Sequence, residues 1–295
     1  MTGPASSSSL PELPPPSPAH VAQMLNEHGY PFHYAVLNRA RELNEFNTLS
    51  PWVFEVSELP VMVGGKDTRI DFVLRHAERP VFLSCECKRV NPAYTDWCFF
   101  RAPLVRRNDF KPQFWIEQWR QHPGDPFSFP LEGVPRGSAS GRDYHVAFPV
   151  EGPAKGNKSG GDPKEAIEAA LTQASRHANG FAKLLCDRPS LVRHTGPEAL
   201  IAPVVFTTAR LWTSEVDLAT ADLTSGHVNP RDVTLTRRDW IGYQYHTSQG
   251  LRPGHTALLA AWDLSTYLVQ EVMRTIFVVS TSGIDAFLGS IGDIF

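Results

Sequence analysis

The stretch "RIDFVLRHAERPVFLSCECKRV", residues 69–90, constrains this chain more than any other. It holds two apolar runs, "TRIDFVLR" and "VFLSCECKR", joined by the short polar segment "HAERP". Apolar runs this close, with turn residues between them, predict an antiparallel hairpin. Both runs carry charge where a strand should bury itself: Asp71 in the first, Glu86 and Lys88 in the second. Centring the turn on Ala77 to Arg79 sets Asp71 opposite Glu86, and directly opposed residues sit about 4.5–5.5 Å apart at Cβ. Alternation then places Glu86 and Lys88 on one face of the strand and Cys85 and Cys87 on the other.

Two carboxylates that close repel one another, and strands rich in Val, Ile, Phe and Leu leave them little water. Such a pair is costly unless one member is protonated or a cation lies between them. An oxygen-rich arrangement suits a hard divalent ion, Mg²⁺ or Mn²⁺. A lysine beside that ion completes a hydrolytic set, because the metal lowers the pKa of a bound water and the lysine orients or helps deprotonate it. The alternative reading of the same spacing is an ordinary ion pair of Asp71 with Lys88, with Glu86 solvated.

The flanking pattern predicts the order of elements. Phe32, Val36, Ala40 and Leu43 repeat as a helical stripe. "WVFEVSELPVMV" predicts a strand broken or kinked near Pro60, ending at the turn Gly64-Gly65. "DPKEAIEAALTQASRHANGFAKLLCD" is the strongest helix, with Asp162 as its cap and Pro163 at its first position. "ALIAPVVFTTARLW" suits a fully buried strand. Between these pieces, residues 99–161 are dense in Pro, Gly, aromatics and bases. There we expect a short helix near 112–121, one strand at 143–150 and a loop at 151–162. Farther on we expect a strand at 240–247, a helix at 264–274, and a strand running into a short helix in "RTIFVVSTSGIDAFLGSI". Residues 1–18 are Ser- and Pro-rich and are expected to be disordered. The expected organisation is one domain over 19–295. Its core is 31–98 and 162–210, 99–161 is an insertion, and 211–295 is a C-terminal elaboration.

"RID" at 69–71 and "CECK" at 85–88, with apolar runs before each, resemble the PD-(D/E)xK phosphodiesterase superfamily of restriction-endonuclease-like nucleases. The resemblance covers roughly 110 residues, those of the predicted core. It implies an α/β fold with an αβββαβ core and a mixed central sheet flanked by helices. It also implies a Mg²⁺- or Mn²⁺-dependent nuclease acting on nucleic acid, DNA before RNA. By that resemblance Asp71, Glu86 and the backbone carbonyl of Cys87 are metal ligands, and Lys88 positions the attacking water. Gln173, on the strong helix, is a further catalytic residue, with His177 four positions later on the same face. The family's acidic residue on the first helix has Glu42 and Glu45 as candidates, while its usual place holds His33 and Tyr34. Ile70 stands where the family's proline would be.

In the insertion, Arg101, Arg106, Arg107 and Lys111 lie among Phe99, Phe100, Phe114, Trp115 and Trp119, and Lys155, Lys158 and Lys164 flank the loop. Bases interleaved with aromatics suit a nucleic-acid groove. An aromatic mini-core with solvated charges explains the same letters. Arg237 and Arg238 beside Trp240 fit a polar strand edge.

The remaining composition mostly excludes. A formal charge of -3 gives no global basic field. Four cysteines are too few and too irregular for a disulfide framework, and Cys85, Cys87 and Cys98 read as small buried thiols. No serine-hydrolase elbow, phosphate loop or dinucleotide fingerprint is present. The first residues have no basic-then-apolar signal pattern, and no run is long enough to span a membrane, so the expected setting is the cytoplasm without a membrane partner. A homodimer or a partner protein of a larger complex stays open. So does the competing class, a catalytically inactive module of the same fold that binds nucleic acid or assembles with a partner. A role in bacterial defence against foreign DNA is an expectation by analogy of fold alone.

Overall fold

The computed structural model describes residues 17–27, 29–45, 50–90, 95–101, 113–120, 131–139, 142–144, 146–150, 163–187, 198–216, 220–246 and 273–295. Its centre is an antiparallel meander of β1 (Trp52–Val63), β2 (Lys66–His76) and β3 (Val81–Lys88). Gly64 and Gly65 close the first hairpin at φ 58° and 76°. Two successive left-handed residues are what a two-residue hairpin turn of the primed type demands. In the second hairpin Leu74 faces Leu83 and Phe72 faces Cys85, which is the register set by a turn centred on Ala77 to Arg79.

β1 does not break at Pro60. That residue pairs with Arg69 in a continuous ladder. The strand lies at the edge of the sheet, where a missing N–H interrupts no further partner. The irregularity comes earlier, as a register shift between Phe54 and Val56 and a positive φ of 51° at Glu58.

The sheet continues from β3 through β9 (Glu198–Thr207), β13 (Met273–Ser280), β12 (Trp240–His246) and β7 (Asp143–Tyr144). β9 runs parallel to both β3 and β13, and β12 antiparallel to β13, so the sheet is mixed. Every residue of β13 and all but the first of β9 are buried, which accounts for the apolar runs "IFVV" and "ALIAPVVF" within them. β5 (Phe114–Arg120) pairs with the first residues of β9 and with β6 (Leu131–Arg136). A second sheet has the order β11 (Leu235–Arg238), β10 (Arg210–Ser214), β4 (Asp96–Phe100), β8 (Val146–Val150).

Helices cover both faces of the large sheet. α2 (Tyr30–Glu45) and the short α4 (Ile284–Ser290) lie on one. Val36, Ala40 and Leu43 of α2 and Phe287 of α4 pack there with Phe72, Leu74, Leu83, Phe206 and Phe277. On the other face α3 (Pro163–Asp187) packs Phe181, Ala182 and Leu185 on Val73, Phe82 and Ile201. Its earlier turns place Ala170, Leu171 and Ala174 against Val205, Ile276 and Val278. Each fully buried Phe or Leu contributes about 1.5–3 kcal/mol, so these two layers hold the meander rigid from both sides. The order helix, three antiparallel strands, long helix, parallel strand is therefore present in a mixed α/β fold.

Several expectations are corrected. Residues 114–120 form a strand where a helix near 112–121 was expected, because 114–119 are buried on both faces and the backbone completes the β9 edge. The single strand expected at 143–150 is two, β7 in the large sheet and β8 in the small one. Helix α1 (Pro18–Glu27) begins inside the segment expected to be disordered, and the Ser17 hydroxyl caps it by accepting the His20 N–H at 3.2 Å. Of the helix expected at 264–274, residues 273 and 274 open β13, and 264–272 lie outside the described residues. So do residues 1–16, the 151–162 loop and the proposed cap Asp162. Among the described residues no helix is long and apolar enough to cross a membrane.

Candidate active site

Where β2 and β3 part, the sequence puts its charges. The last backbone pair of that ladder is Phe72 with Cys85. Just beyond, the Asp71 carboxylate takes the place of a strand acceptor, and its Oδ2 receives the Cys87 N–H at 2.7 Å. Glu86 and Lys88 point from β3 toward α3, as alternation requires. Glu86 is 1% exposed. Its Oε1 lies 2.7 Å from Lys88 Nζ, and Oε2 lies 3.1 Å from His177 Nδ1.

α3 supplies the opposite wall. Lys88 Nζ donates to Gln173 Oε1 at 2.9 Å. His177, one turn later, is 1% exposed and places Nε2 2.8 Å from Thr68 Oγ1 on β2. The approach of His177 Nδ1 to Glu86 Oε2 lacks hydrogen-bond geometry, and both atoms are buried without a hydrogen-bond partner. The structure thus brings Asp71, Glu86, Lys88 and Gln173 together.

Electrostatics mark the same place. Burial, followed by the negative charge of Glu86, pushes the Asp71 carboxyl up to about 7, against the Cys87 N–H and the Lys88 charge, which pull it down. Burial also raises the Cys85 and Cys87 thiols well above their ordinary range, and Cys85, Cys87 and Cys98 are free. They are packing thiols, not a reactive set.

Two further residues join, His33 from the place that the resemblance gives to a first-helix acid and Glu58 from one that the sequence pattern did not single out. His33, in the first turn of α2, is 3% exposed, and its Nδ1 lies 3.4 Å from Glu58 Oε1. Burial lowers the His33 pKa, while Glu58 and Glu86 pull it up. Glu58 also acts on Asp71, adding a third carboxylate from β1. The helix expectation placed His33 where the family's acid would stand, but no periodicity announces Glu58. Its position depends on the left-handed backbone of an irregular strand.

Glu42 does not join. It pairs with Arg39 and accepts from Asn38 on the outer side of α2. Glu45 pairs with Arg41 on the same helix. Arg101 is exposed at the end of β4, with its guanidinium 5.8 Å from the Tyr144 ring centre. Phe99, Phe100, Phe114, Trp115 and Trp119 are all buried, and Phe114, Trp119, Phe99 and Phe100 belong to four separate core clusters, so they form neither an open stacking groove nor one aromatic mini-core. Arg106, Arg107, Lys111, Lys155 and Lys158 lie outside the described residues, as does the Lys164 side chain. Arg237 and Arg238 stand on the edge strand β11.

The donor set fits a hard cation. Asp71 and Glu86 bring two carboxylates close enough to disturb one another, and Glu86 Oε2 is a buried oxygen without a hydrogen bond. Among the described residues no three His, Cys, Asp or Glu side chains form a metal-holding group by themselves. Mg²⁺ asks for no such cage, since it takes one or two carboxylates and completes its shell with water and phosphate oxygens. Comparison with known proteins adds no relative: no family model, no curated protein and no solved structure matches the chain.

Proposed function

We propose that this chain is a Mg²⁺- or Mn²⁺-dependent nuclease with a restriction-endonuclease-like core, hydrolysing phosphodiester bonds in DNA. The observation that carries the reading is Lys88, held between Glu86 and Gln173, with Asp71 on the neighbouring strand. The αβββαβ order and the fit of the carboxylates to a hard cation support it. The ion would rest on Asp71, Glu86 and the Cys87 carbonyl, where it would neutralise phosphate charge and lower the pKa of a water.

The chain's own groups do the rest. An ammonium has three N–H donors. Glu86 and Gln173 engage two of them, which leaves one of the Lys88 donors to orient an attacking water. The anchoring by Gln173 fixes the direction of that third donor and couples α3 to the reacting atoms. Asp71 and Glu86 carry the negative charge that draws the cation and, without it, would repel a phosphate.

One observation favours a second reading, a module of the same fold that binds without cutting. The Lys88 ammonium already neutralises Glu86, so the cluster satisfies itself in part. Crystals soaked in Mn²⁺ separate the two: the binding-only module should show no ion between Asp71 and Glu86. The nuclease reading is tested by incubating plasmid and linear single-stranded DNA with the full chain in Mg²⁺, Mn²⁺ or EDTA. Cutting that needs the ion supports it. No cutting of either DNA in any ion counts against it and in favour of the module.

A further inference from the structure

Beside the acidic cluster an aromatic column runs from the core to the surface. Phe206 stacks on Phe72 with ring centres 6.0 Å apart, and Phe72 on His33 at 5.5 Å. His33 stacks on Tyr34 at 4.7 Å with the planes within 5° of parallel. The first three rings are buried, whereas Tyr34 is 51% exposed. The column ends in a ring with one face covered by His33 and a solvent-open side. Tyr30, one helical turn earlier on the same side of α2, is 47% exposed.

His33, the ring beneath Tyr34, lies next to the proposed chemistry. His33 contacts Glu58, and the charges of Glu58 and Glu86 both act on it. From the other side, the Arg89 guanidinium, directly after Lys88, donates to the Asn26 carbonyl at the end of α1. The α1–α2 corner is thereby pinned against the end of the strand that carries Glu86 and Lys88.

An exposed tyrosine backed by a rigid stack costs little entropy to order, because its under-face is already packed. Its free face suits a flat apolar ring. Nucleobases offer such a face only when they are out of a duplex, and base–aromatic stacking contributes about 1–3 kcal/mol per base whatever the sequence. The neighbouring α1 also exposes Val21, Met24 and Leu25, but only Tyr34 has a ring stacked beneath it. A base next to a phosphate held at the acidic cluster would find Tyr34 stacked on His33, the ring on which Glu58 and Glu86 act.

We infer that Tyr34, with Tyr30 beside it, is a stacking platform for unpaired bases, so that the substrate enters as a single strand or a frayed end. The inference rests on the nuclease reading and specifies its substrate. It is sequence-tolerant by construction, since every base has a stacking face.

The test is equilibrium binding of a short fluorescent oligothymidylate to the full chain, with Ca²⁺ present so that the strand stays intact. Cutting by the wild type in Mg²⁺ is assayed alongside. Tyr34→Ala should weaken binding by about tenfold, Tyr34→Phe should stay within about twofold, and duplex binding should not change in either. The wild type itself provides a check that needs no variant: strands lacking one base should lose a similar factor at one position. If the wild type cuts single strands while Tyr34→Ala and the abasic strands bind as tightly, the platform is wrong and the nuclease stands. If the wild type neither binds nor cuts any nucleic acid, the nuclease reading falls and takes the platform with it.

Discussion

Asp71 Oδ2 accepts the backbone N–H of Cys87 at 2.7 Å, so a carboxylate on one strand completes the hydrogen bonding of the next at the point where their ladder ends. The same bond holds Asp71 beside Glu86 and is the reason two acids share one buried corner. The burial of Asp71, and after it the charge of Glu86, sets the first prediction.

Asp71 titrates near 7 in the folded chain and near an ordinary aspartate when unfolded. Between those values the folded state holds a proton that the unfolded state has lost, so stability falls as pH rises from about 4 to about 7. Asp71→Asn keeps a side-chain oxygen for the Cys87 N–H and removes the titration. Urea unfolding should show it more stable than wild type at pH 8 by on the order of 2 kcal/mol, with no advantage at pH 4. Equal pH profiles for the two proteins would remove the cost of burying the Asp71 carboxylate from the account.

A divalent cation should reverse that penalty. Mg²⁺ at about a hundred times its Kd stabilises a folded protein by about 2.7 kcal/mol when only the folded state binds it. The thermal midpoint of the wild type should rise with Mg²⁺ and return in EDTA. Asp71→Asn and Glu86→Gln should respond little, and a rise of the same size in both variants would put the ion elsewhere.

Gly180 stands in the middle of α3, where glycine ordinarily costs about 1 kcal/mol relative to alanine. Its reason is proximity: a Cβ there would lie 2.9 Å from the Cγ2 atoms of both Val61 and Val63. β-branched side chains have little room to yield. Gly180→Leu should therefore destabilise by about 2–3 kcal/mol, read as a shift in the urea midpoint. A neutral result would mean that α3 sits farther from β1.

Glu117 and Arg274 form a buried ion pair, with 4% and 7% exposure. Removing one partner takes a counter-charge from the other inside the core, and Glu117→Gln or Arg274→Met alone should cost about 3–5 kcal/mol. The double variant should recover most of that loss in a thermal unfolding cycle. Additive losses would show the two residues acting independently.

The hairpin and its register were legible because a short turn between two apolar runs leaves few pairings. That alone was enough to set Asp71 beside Glu86. α2, α3 and the buried β9 were equally plain, each from one unbroken period. β5 was misread for a physical reason. Residues 114–119 are buried on both faces, so alternation disappears, and Trp115 and Trp119 at four-residue spacing imitate a helix. The kink expected at Pro60 followed from a proline's missing N–H, which an edge strand does not need. Glu58 could not be read because its place in the cluster depends on a left-handed residue that no spacing encodes. The arginines and lysines expected to line a groove lie, apart from Arg101, outside the described residues.

The most direct test of the central claim is single-turnover cleavage of single-stranded DNA in Mg²⁺ by the wild type and by Lys88→Ala, with Mn²⁺ affinity measured in both. If Lys88 orients the attacking water, the rate should fall by about a hundredfold or more while the ion is still bound. Equal rates in the two proteins would contradict the claim and remove the β2–β3 cluster as the site of cutting.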